Sequence, residues 1–309
     1  MFCSCITFVK FYFCNSLLNA IKLKNKGFLF AAISAISYGL LPIFIIPVKK
    51  AGFSLDVTLF YRFFISFVFV LLFLLYKKVD LKISKFEVVI MLILGLFYAL
   101  SSEFLFLAYD YLSPGIASTI LFVYPIIVAL ILFVFYKEKL TKATVFSLII
   151  SFAGVLVLSA KDSLENINFI GLLISFMSAV SYALYIVLVN KSKISFSGIK
   201  ISLYSLLFSS LYYLIKILLL DESIMVDSSF LFNTAIFSLV TTVFSMVALV
   251  EAIKLIGSTS SSIMGALEPV VAVGISVLMF NEEFTLSLFI GLVLILFGVI
   301  VNIVTTKNT

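Results

Sequence analysis

The sequence has no histidine, only three cysteines and few charges, and each shortage removes a class of protein. Cys3, Cys5 and Cys14 all lie within the first fourteen residues, so neither a disulfide framework nor a Cys/His zinc site can organise the body of the chain. With histidine missing and the carboxylates scattered, the bases, nucleophiles and ligands of an intramembrane enzyme are not assembled either. No GxxxxGKS/T loop is present to cradle the phosphates of ATP. The expectation is therefore a protein with no catalytic residue, no metal and no cofactor. Charged residues make up 12% of the 309 and apolar ones 63%, with a mean hydropathy of +1.29. A soluble domain carries about 25% charged and about 45–50% apolar residues, so this excess must face a solvent other than water, and the bilayer is that solvent. The net charge of +6 does not point to nucleic acid, because the lysines fall between apolar runs rather than in one stripe.

A spanning helix needs about 20 apolar residues to cross about 30 Å of hydrocarbon. Ten stretches meet that length, near 28–47, 55–76, 86–108, 114–136, 143–160, 168–190, 198–220, 231–253, 258–280 and 285–304. The predicted fold is an all-α integral membrane protein of ten transmembrane helices. The connections are short and polar, so all function must sit inside the bundle. Lysines concentrate on one side, from Lys22, Lys24 and Lys26 through Lys77, Lys78, Lys82 and Lys85 to Lys137, Lys139 and Lys142, and again at Lys191, Lys193, Lys200, Lys254 and Lys307. Lys49, Lys50 and Lys161 alone lie opposite. That asymmetry places both ends of the ten-helix body in the cytoplasm, in a cell (inner) membrane. Residues 1–26 are apolar but interrupted by Lys10, Asn15 and Asn19, and read as an interfacial or poorly ordered extension. An eleventh helix and an over-long start are the alternatives.

The chain repeats itself at a shift of 144 residues without gaps in either half. Ser34, Ala35, Ser37, Tyr38 and Leu40 fall on Ser178, Ala179, Ser181, Tyr182 and Leu184. Ser101, Ser118, Pro125, Glu138, Thr141 and Gly154 fall on Ser245, Ser262, Pro269, Glu282, Thr285 and Gly298. Two domains follow, residues 27–160 (helices 1–5) and 168–304 (helices 6–10). Five helices is an odd number, so the second repeat enters the membrane from the opposite face, and the repeats are expected to be inverted. Inverted halves place a substrate site near the midplane between them and expose it alternately to each side.

Tyr124-Pro125 through Lys137-Glu138-Lys139-Leu140-Thr141, the matching Leu267-Glu268-Pro269 through Asn281-Glu282-Glu283-Phe284-Thr285, and Tyr61-Arg62-Phe63 resemble the recurrent signature of EamA-type carriers of the drug/metabolite transporter superfamily. The resemblance covers residues 27 to about 304. It implies a permease for a small-molecule substrate, with exporters of amino acids among the family members and carriers of sugars, nucleotide-linked compounds and cofactors among their relatives. One departure stands out. The family often has glycine before the loop glutamate, where this sequence has Lys137 and Asn281, and lysine does not readily adopt the left-handed conformation of such a turn.

Ionisable and polar residues inside the spans are the candidates for a site, each weighed against packing. Glu268 lies about ten residues into the ninth span, roughly 15 Å deep. The following Pro269 frees the carbonyl of Gly265, so polar backbone and a carboxyl able to carry a proton converge there. Its repeat mate Tyr124 precedes Pro125 at the same depth. Tyr38 and Tyr182 lie mid-span, and Pro42 frees the carbonyl of Tyr38. These residues, with Ser101 and Ser245, form the candidate substrate-binding set, Glu268 is the proton-coupling candidate, and Pro42, Pro125 and Pro269 are the expected kinks. Arg62 and Glu103 reach similar depth and are expected either to pair with each other or to leave Arg62 for a substrate carboxylate. Glu251 is expected to pair locally with Lys254, Lys216 to snorkel, and Glu138 and Glu282 to serve as loop or gate residues.

The reading that follows is a secondary transporter of an amino acid or related amphipathic metabolite, directed outward, working by alternating access and coupled to protons. Import or exchange of a sugar, nucleoside or cofactor-like metabolite is the alternative within transport. A non-transporting structural or sensory membrane protein is the alternative outside it. The expected partners are a small molecule and the lipid bilayer, with a homodimer left open.

Overall fold

The structure, a computed structural model, describes residues 23–41, 43, 54–112, 117, 120–159, 168–192, 194, 196–279 and 285–308. Most of the 1–26 extension, Pro42 and Glu282 lie outside the described residues. Every element described is helical. The helices are α1 (23–39), α2 (Leu55–Tyr76), α3 (Lys85–Ala108), α4 (Tyr124–Tyr136), α5 (Lys142–Ser159), α6 (Phe169–Lys191), α7 (Gly198–Leu219), α8 (Ser228–Phe237), a π-helical segment (Ser238–Phe244), α9 (Ser245–Met264), α10 (Leu267–Met279) and α11 (Leu286–Asn308). Among the described residues, six helical stretches are long and apolar enough to cross a membrane, and the shorter apolar helices Tyr124–Tyr136 and Lys142–Val157 accompany them.

The helix starts follow from short polar residues in the connections, which satisfy the first free backbone N–H groups. Ser84 and Glu87 form a reciprocal capping box at α3. Asn168 accepts from the Ile170 N–H at 2.8 Å, and Asp227 from the Phe230 N–H at 2.9 Å. The repeat mates Thr141 and Thr285 each accept from the N–H three residues on, at Thr144 and Leu288, which explains why a threonine recurs at that offset.

Side chains are distributed as a bilayer demands. Leu72, Phe135, Ile149, Phe169 and Leu219 point outward and are exposed, while Ser66, Ser147, Ser175, Ser178, Ser202, Ser205, Ser209 and Thr242 are fully enclosed. Lipid tails are as apolar as leucine, so helix association relies on close backbone approach and hydrogen bonds between small residues. The Ser209 hydroxyl donates to the Gly95 carbonyl at 2.8 Å and joins α7 to α3. The Ser147 hydroxyl donates to the Gly298 carbonyl at 2.6 Å and joins α5 to α11. On the same interface, a Cβ at Gly154 would meet the Gly291 carbonyl at 2.8 Å. Shifted by the repeat, Ser147 becomes Gly291 and Gly154 becomes Gly298, so one contact is the other with the partners exchanged.

Four departures from regular helix position the centre of the bundle. The stretch leading into α4 turns at Phe122–Val123, so that Tyr124 and Pro125 open a new helix. In the other repeat, α9 ends at Met264, Gly265–Ala266 turn, and Leu267, Glu268 and Pro269 open α10. The spans expected at 114–136 and 258–280 are therefore each broken beside their proline. The carbonyl of Gly265, expected to be freed by Pro269, instead accepts the N–H of Glu268 at 2.9 Å. Gly257, at φ 78° and ψ 168°, interrupts α9, a conformation that glycine reaches without steric penalty. The π-helical turn at Ser238–Phe244 is the fourth departure, and such turns cluster at functional sites.

Candidate substrate site

The centre is built from α1, α2, α3, the start of α4, α6 and the α9–α10 break. Glu268 is buried at the first turn of α10. Gly39 of α1 allows this approach, because a Cβ there would come within 2.8 Å of the Glu268 carbonyl. Tyr38, the neighbour of Gly39, interacts electrostatically with both Arg62 and Glu268. Among the described residues no cation pairs with Glu268. Tyr124 packs edge-on against Tyr182 with ring centroids 4.7 Å apart. Its hydroxyl donates to the Ser262 carbonyl at 3.2 Å and fills the space over Gly265, where a Cβ would lie 1.8 Å from it. Four of the residues singled out in the sequence, Tyr38, Tyr124, Tyr182 and Glu268, are thus brought to one polar and aromatic region.

The aromatic region extends further than the sequence indicated. Tyr182 stacks with Tyr185 at 6.4 Å, Tyr185 meets Tyr98 at 5.2 Å, Tyr98 meets Phe63 at 5.4 Å and Phe63 stacks with Tyr213 at 5.7 Å. A file of rings therefore runs from the helix break toward the end of α7. The Tyr185 hydroxyl is buried without a hydrogen-bond partner among the described residues, whereas that of Tyr213 donates to the Ala99 carbonyl at 2.9 Å. A tyrosine inside a run of apolar residues looks like packing until its neighbours are known, so Tyr98, Tyr185 and Tyr213 gave no sequence signal.

Arg62 is completely enclosed. Its Nε donates to the Thr242 hydroxyl at 2.7 Å, and its guanidinium stands 5.0 to 5.7 Å from the ring centroids of Phe237, Phe63 and Tyr38. The expected pairing of Arg62 with Glu103 is not made. Glu103 is held by Lys216 at 2.6 Å and by the Tyr212 hydroxyl at 2.6 Å, and Lys216 also reaches Asp56 at 2.8 Å. Lys216 consequently does not snorkel as a lone cation. It ties α2, α3 and α7 together, because the α7 register sets it between two carboxylates that face inward from neighbouring helices.

Other expectations are redirected in the same way. The hydroxyls of Ser101 and Ser245 face Ser178 and Ser34, at 3.4 and 3.3 Å, and serve helix contact in this conformation. Glu251 does not pair with Lys254. It accepts the Gly198 N–H at 2.6 Å and so caps the start of α7 from another helix. Glu138 forms an ion pair with Lys191, which links the end of α4 to the end of α6. Lys137 adopts φ 55° and ψ 28°, the left-handed conformation that glycine would take more easily. The N–H groups of Lys137 and Glu138 both return to the Leu132 carbonyl, and these bonds hold lysine in that turn.

Broken apolar helices, a lipid-like exterior and an enclosed polar centre define a multi-pass membrane transport protein. The family model of the EamA-like transporter family matches residues 25–160 and again residues 169–304, and the chain belongs to that family. It is 29% identical over 216 residues to an uncharacterized transporter, YvbV, of Bacillus subtilis (strain 168), an alignment covering 69% of this chain and 68% of that protein. A solved crystal structure superposes with a TM-score of 0.76 at 17% identity, covering 91% of this chain and 98% of the other, and shows the same fold.

Proposed function

We propose that the protein is a secondary carrier that moves an amino acid or a related small amphipathic metabolite outward across the cell (inner) membrane, with Glu268 coupling transport to protons. One observation carries this reading. Glu268 stands enclosed at the restart of a broken helix, beside Tyr38 and within a tyrosine-lined region, with no cation pairing among the described residues. A buried carboxylate without a counter-charge is costly to keep, and one that can exchange a proton for a solute has a reason to stay. Tyr38, Tyr124 and Tyr182 supply hydroxyls and ring faces for an amphipathic substrate.

The two matched breaks support ten spans in two inverted repeats, 27–160 and 168–304, since discontinuous helices facing each other at the repeat interface are how such carriers build a midplane site. In that arrangement both ends of the ten-helix body are cytoplasmic, Glu138 lies at the cytoplasmic face and the Asp56–Lys216–Glu103 cluster at the outer one. Alternating access then consists of rocking the repeats so that one cluster opens while the other holds.

The test is counterflow of labelled amino acids into liposomes loaded with pooled amino acids, run beside Glu268→Gln. Saturable exchange by the parent protein is expected. The variant should fold normally and no longer respond to an imposed pH gradient. Equal pH-driven uptake by both proteins would remove Glu268 from coupling, and silence from a folded parent would remove amino acids as substrates.

A further inference from the structure

Arg62 is the only arginine in the chain, beside twenty lysines. Wherever the protein needs a cation at a membrane surface it uses lysine, and it places its single guanidinium at a position with no solvent exposure. A guanidinium differs from an ammonium in being planar, with two faces and a fixed fan of N–H groups around its edge. The faces are accounted for. Phe237, Phe63 and Tyr38 surround the group, and their rings stabilise a cation through their π clouds, with the Tyr38 hydroxyl the one polar atom among them that interacts with the guanidinium.

The edges are accounted for only in part. Nε is taken by Thr242 at 2.7 Å, which fixes the rotation of the group about its stem. Thr242 lies in the π-helical segment Ser238–Phe244. The Ser66 hydroxyl, one turn after Arg62, donates to the Arg62 carbonyl at 2.7 Å and lies 3.3 Å from the Ser238 carbonyl, so α2 is pinned to the same segment. Both terminal nitrogens, Nη1 and Nη2, are buried and have no geometric hydrogen-bond partner among the described residues. Among the described residues no carboxylate hydrogen-bonds to them: Glu103 and Asp56 are engaged by Lys216, and Glu268, the proposed proton carrier in the same region, makes no ion pair with Arg62.

We infer that Arg62 is an anion receptor within the proposed carrier, its free Nη1–Nη2 edge taking the carboxylate of a monoanionic head group while the surrounding rings take an apolar or aromatic body. This inference rests on the carrier reading and names the head group its substrate must have. A carboxylate matches the two parallel donors of that edge, one oxygen to each nitrogen. A single positive charge balances a single negative one. A phosphate dianion would leave a buried charge uncompensated, because Lys216 is already committed to two carboxylates. A cationic solute would meet like charge. Arg62 is closed off in this conformation, so the ligand reaches it when the repeats move apart, and the Thr242 contact keeps the receptor oriented across that movement.

The uniqueness of Arg62 permits a direct experiment on the full-length chain. Protein labelled with 15N-arginine and placed in lipid nanodiscs gives guanidinium resonances from this one site. The probes are acetate, 3-phenylpropionate and L-phenylalanine, each compared with its carboxamide at the same millimolar concentration. The acids should shift the Nη resonances and broaden or order them, with 3-phenylpropionate effective at a concentration at least about tenfold below that of acetate, as burial of its ring requires. The amides should leave them unchanged. In Arg62→Lys, thermal protection by 3-phenylpropionate should weaken by about tenfold or more while the protein stays folded, since lysine keeps the charge and loses the planar edge. Equal shifts from acids and amides, no shift from any acid, or full protection in Arg62→Lys would overturn the assignment. Shifts without amino-acid counterflow would keep the receptor and remove amino acids as the transported solute, and counterflow by Arg62→Lys at the parent rate would keep the carrier and remove the receptor.

Discussion

The Ser178 hydroxyl donates to the Ser101 carbonyl at 2.6 Å, and the repeat mates of these two residues, Ser34 and Ser245, bring their hydroxyls within 3.3 Å of each other. One contact joins α6 to α3 and the other joins α1 to α9, so each repeat gives its first helix to the other. The same exchange links Ser147–Gly298 to Gly154–Gly291. These pairs swap partners under the repeat shift, as the proposed twofold relation between the halves requires, and small residues occupy them because nothing larger allows the backbones so close.

That relation predicts matched cross-links. In a variant with Cys3, Cys5 and Cys14 changed to serine, Ser101→Cys with Ser178→Cys and Ser34→Cys with Ser245→Cys should each oxidise to an intramolecular disulfide, read as a mobility shift or by mass. Formation of only one would break the symmetry argued here. Ser178→Leu should lower stability by about 1–3 kcal/mol through overpacking, seen as an earlier thermal transition in detergent.

Gly265 and Tyr124 should behave as one unit. Gly265→Ala places a methyl group 1.8 Å from the tyrosine hydroxyl, and about 1–3 kcal/mol of destabilisation is expected. Adding Tyr124→Phe should recover part of that loss, and thermal unfolding of the two single variants and the double variant measures the coupling. Strict additivity would show that the two groups do not meet.

Lys216 should prove structural in a way its position near a helix end does not reveal. Lys216→Met strands Asp56 and Glu103 together and should destabilise the protein, while Lys216→Met with Glu103→Gln should be less damaged than the single variant. A coupling of about 0.5–3 kcal/mol is expected from the complete double-mutant cycle. No coupling would return Lys216 to the role of a surface cation.

At the turn after α4, Lys137→Gly should stabilise the protein by about 0.5–1 kcal/mol, because glycine occupies φ 55° without the contact between Cβ and the following carbonyl. A lower melting temperature would mean that the lysine side chain contributes more than its backbone strain removes.

Much of this protein was legible in the sequence because a bilayer constrains composition so strongly. Apolar runs, the threonine matched at Thr141 and Thr285 and the repeat itself are local or periodic features, and Pro125 and Pro269 marked expected kinks where the structure breaks the helices outright. The partners of the buried charges were not legible. Arg62 and Glu103 match in depth, yet depth fixes only one coordinate, and rotation about the helix axes turned Glu103 toward Lys216 and Arg62 toward Thr242. The uniqueness of Arg62 was visible from the outset as a count, but the role proposed for it required the knowledge that Nη1 and Nη2 have no geometric hydrogen-bond partner among the described residues.

The sequence by itself determined that the chain lives in a membrane, that it is helical and that it is built twice over, since hydropathy, helix length and internal repetition need no knowledge of which side chains meet. Only the tertiary structure decided that Ser101 and Ser245 face helix neighbours, that Glu251 caps a distant helix, and that an aromatic file connects the helix break to the Lys216 cluster. Those outcomes depend on helix rotation and crossing, which emerge when all interfaces pack together, and no single span carries that information.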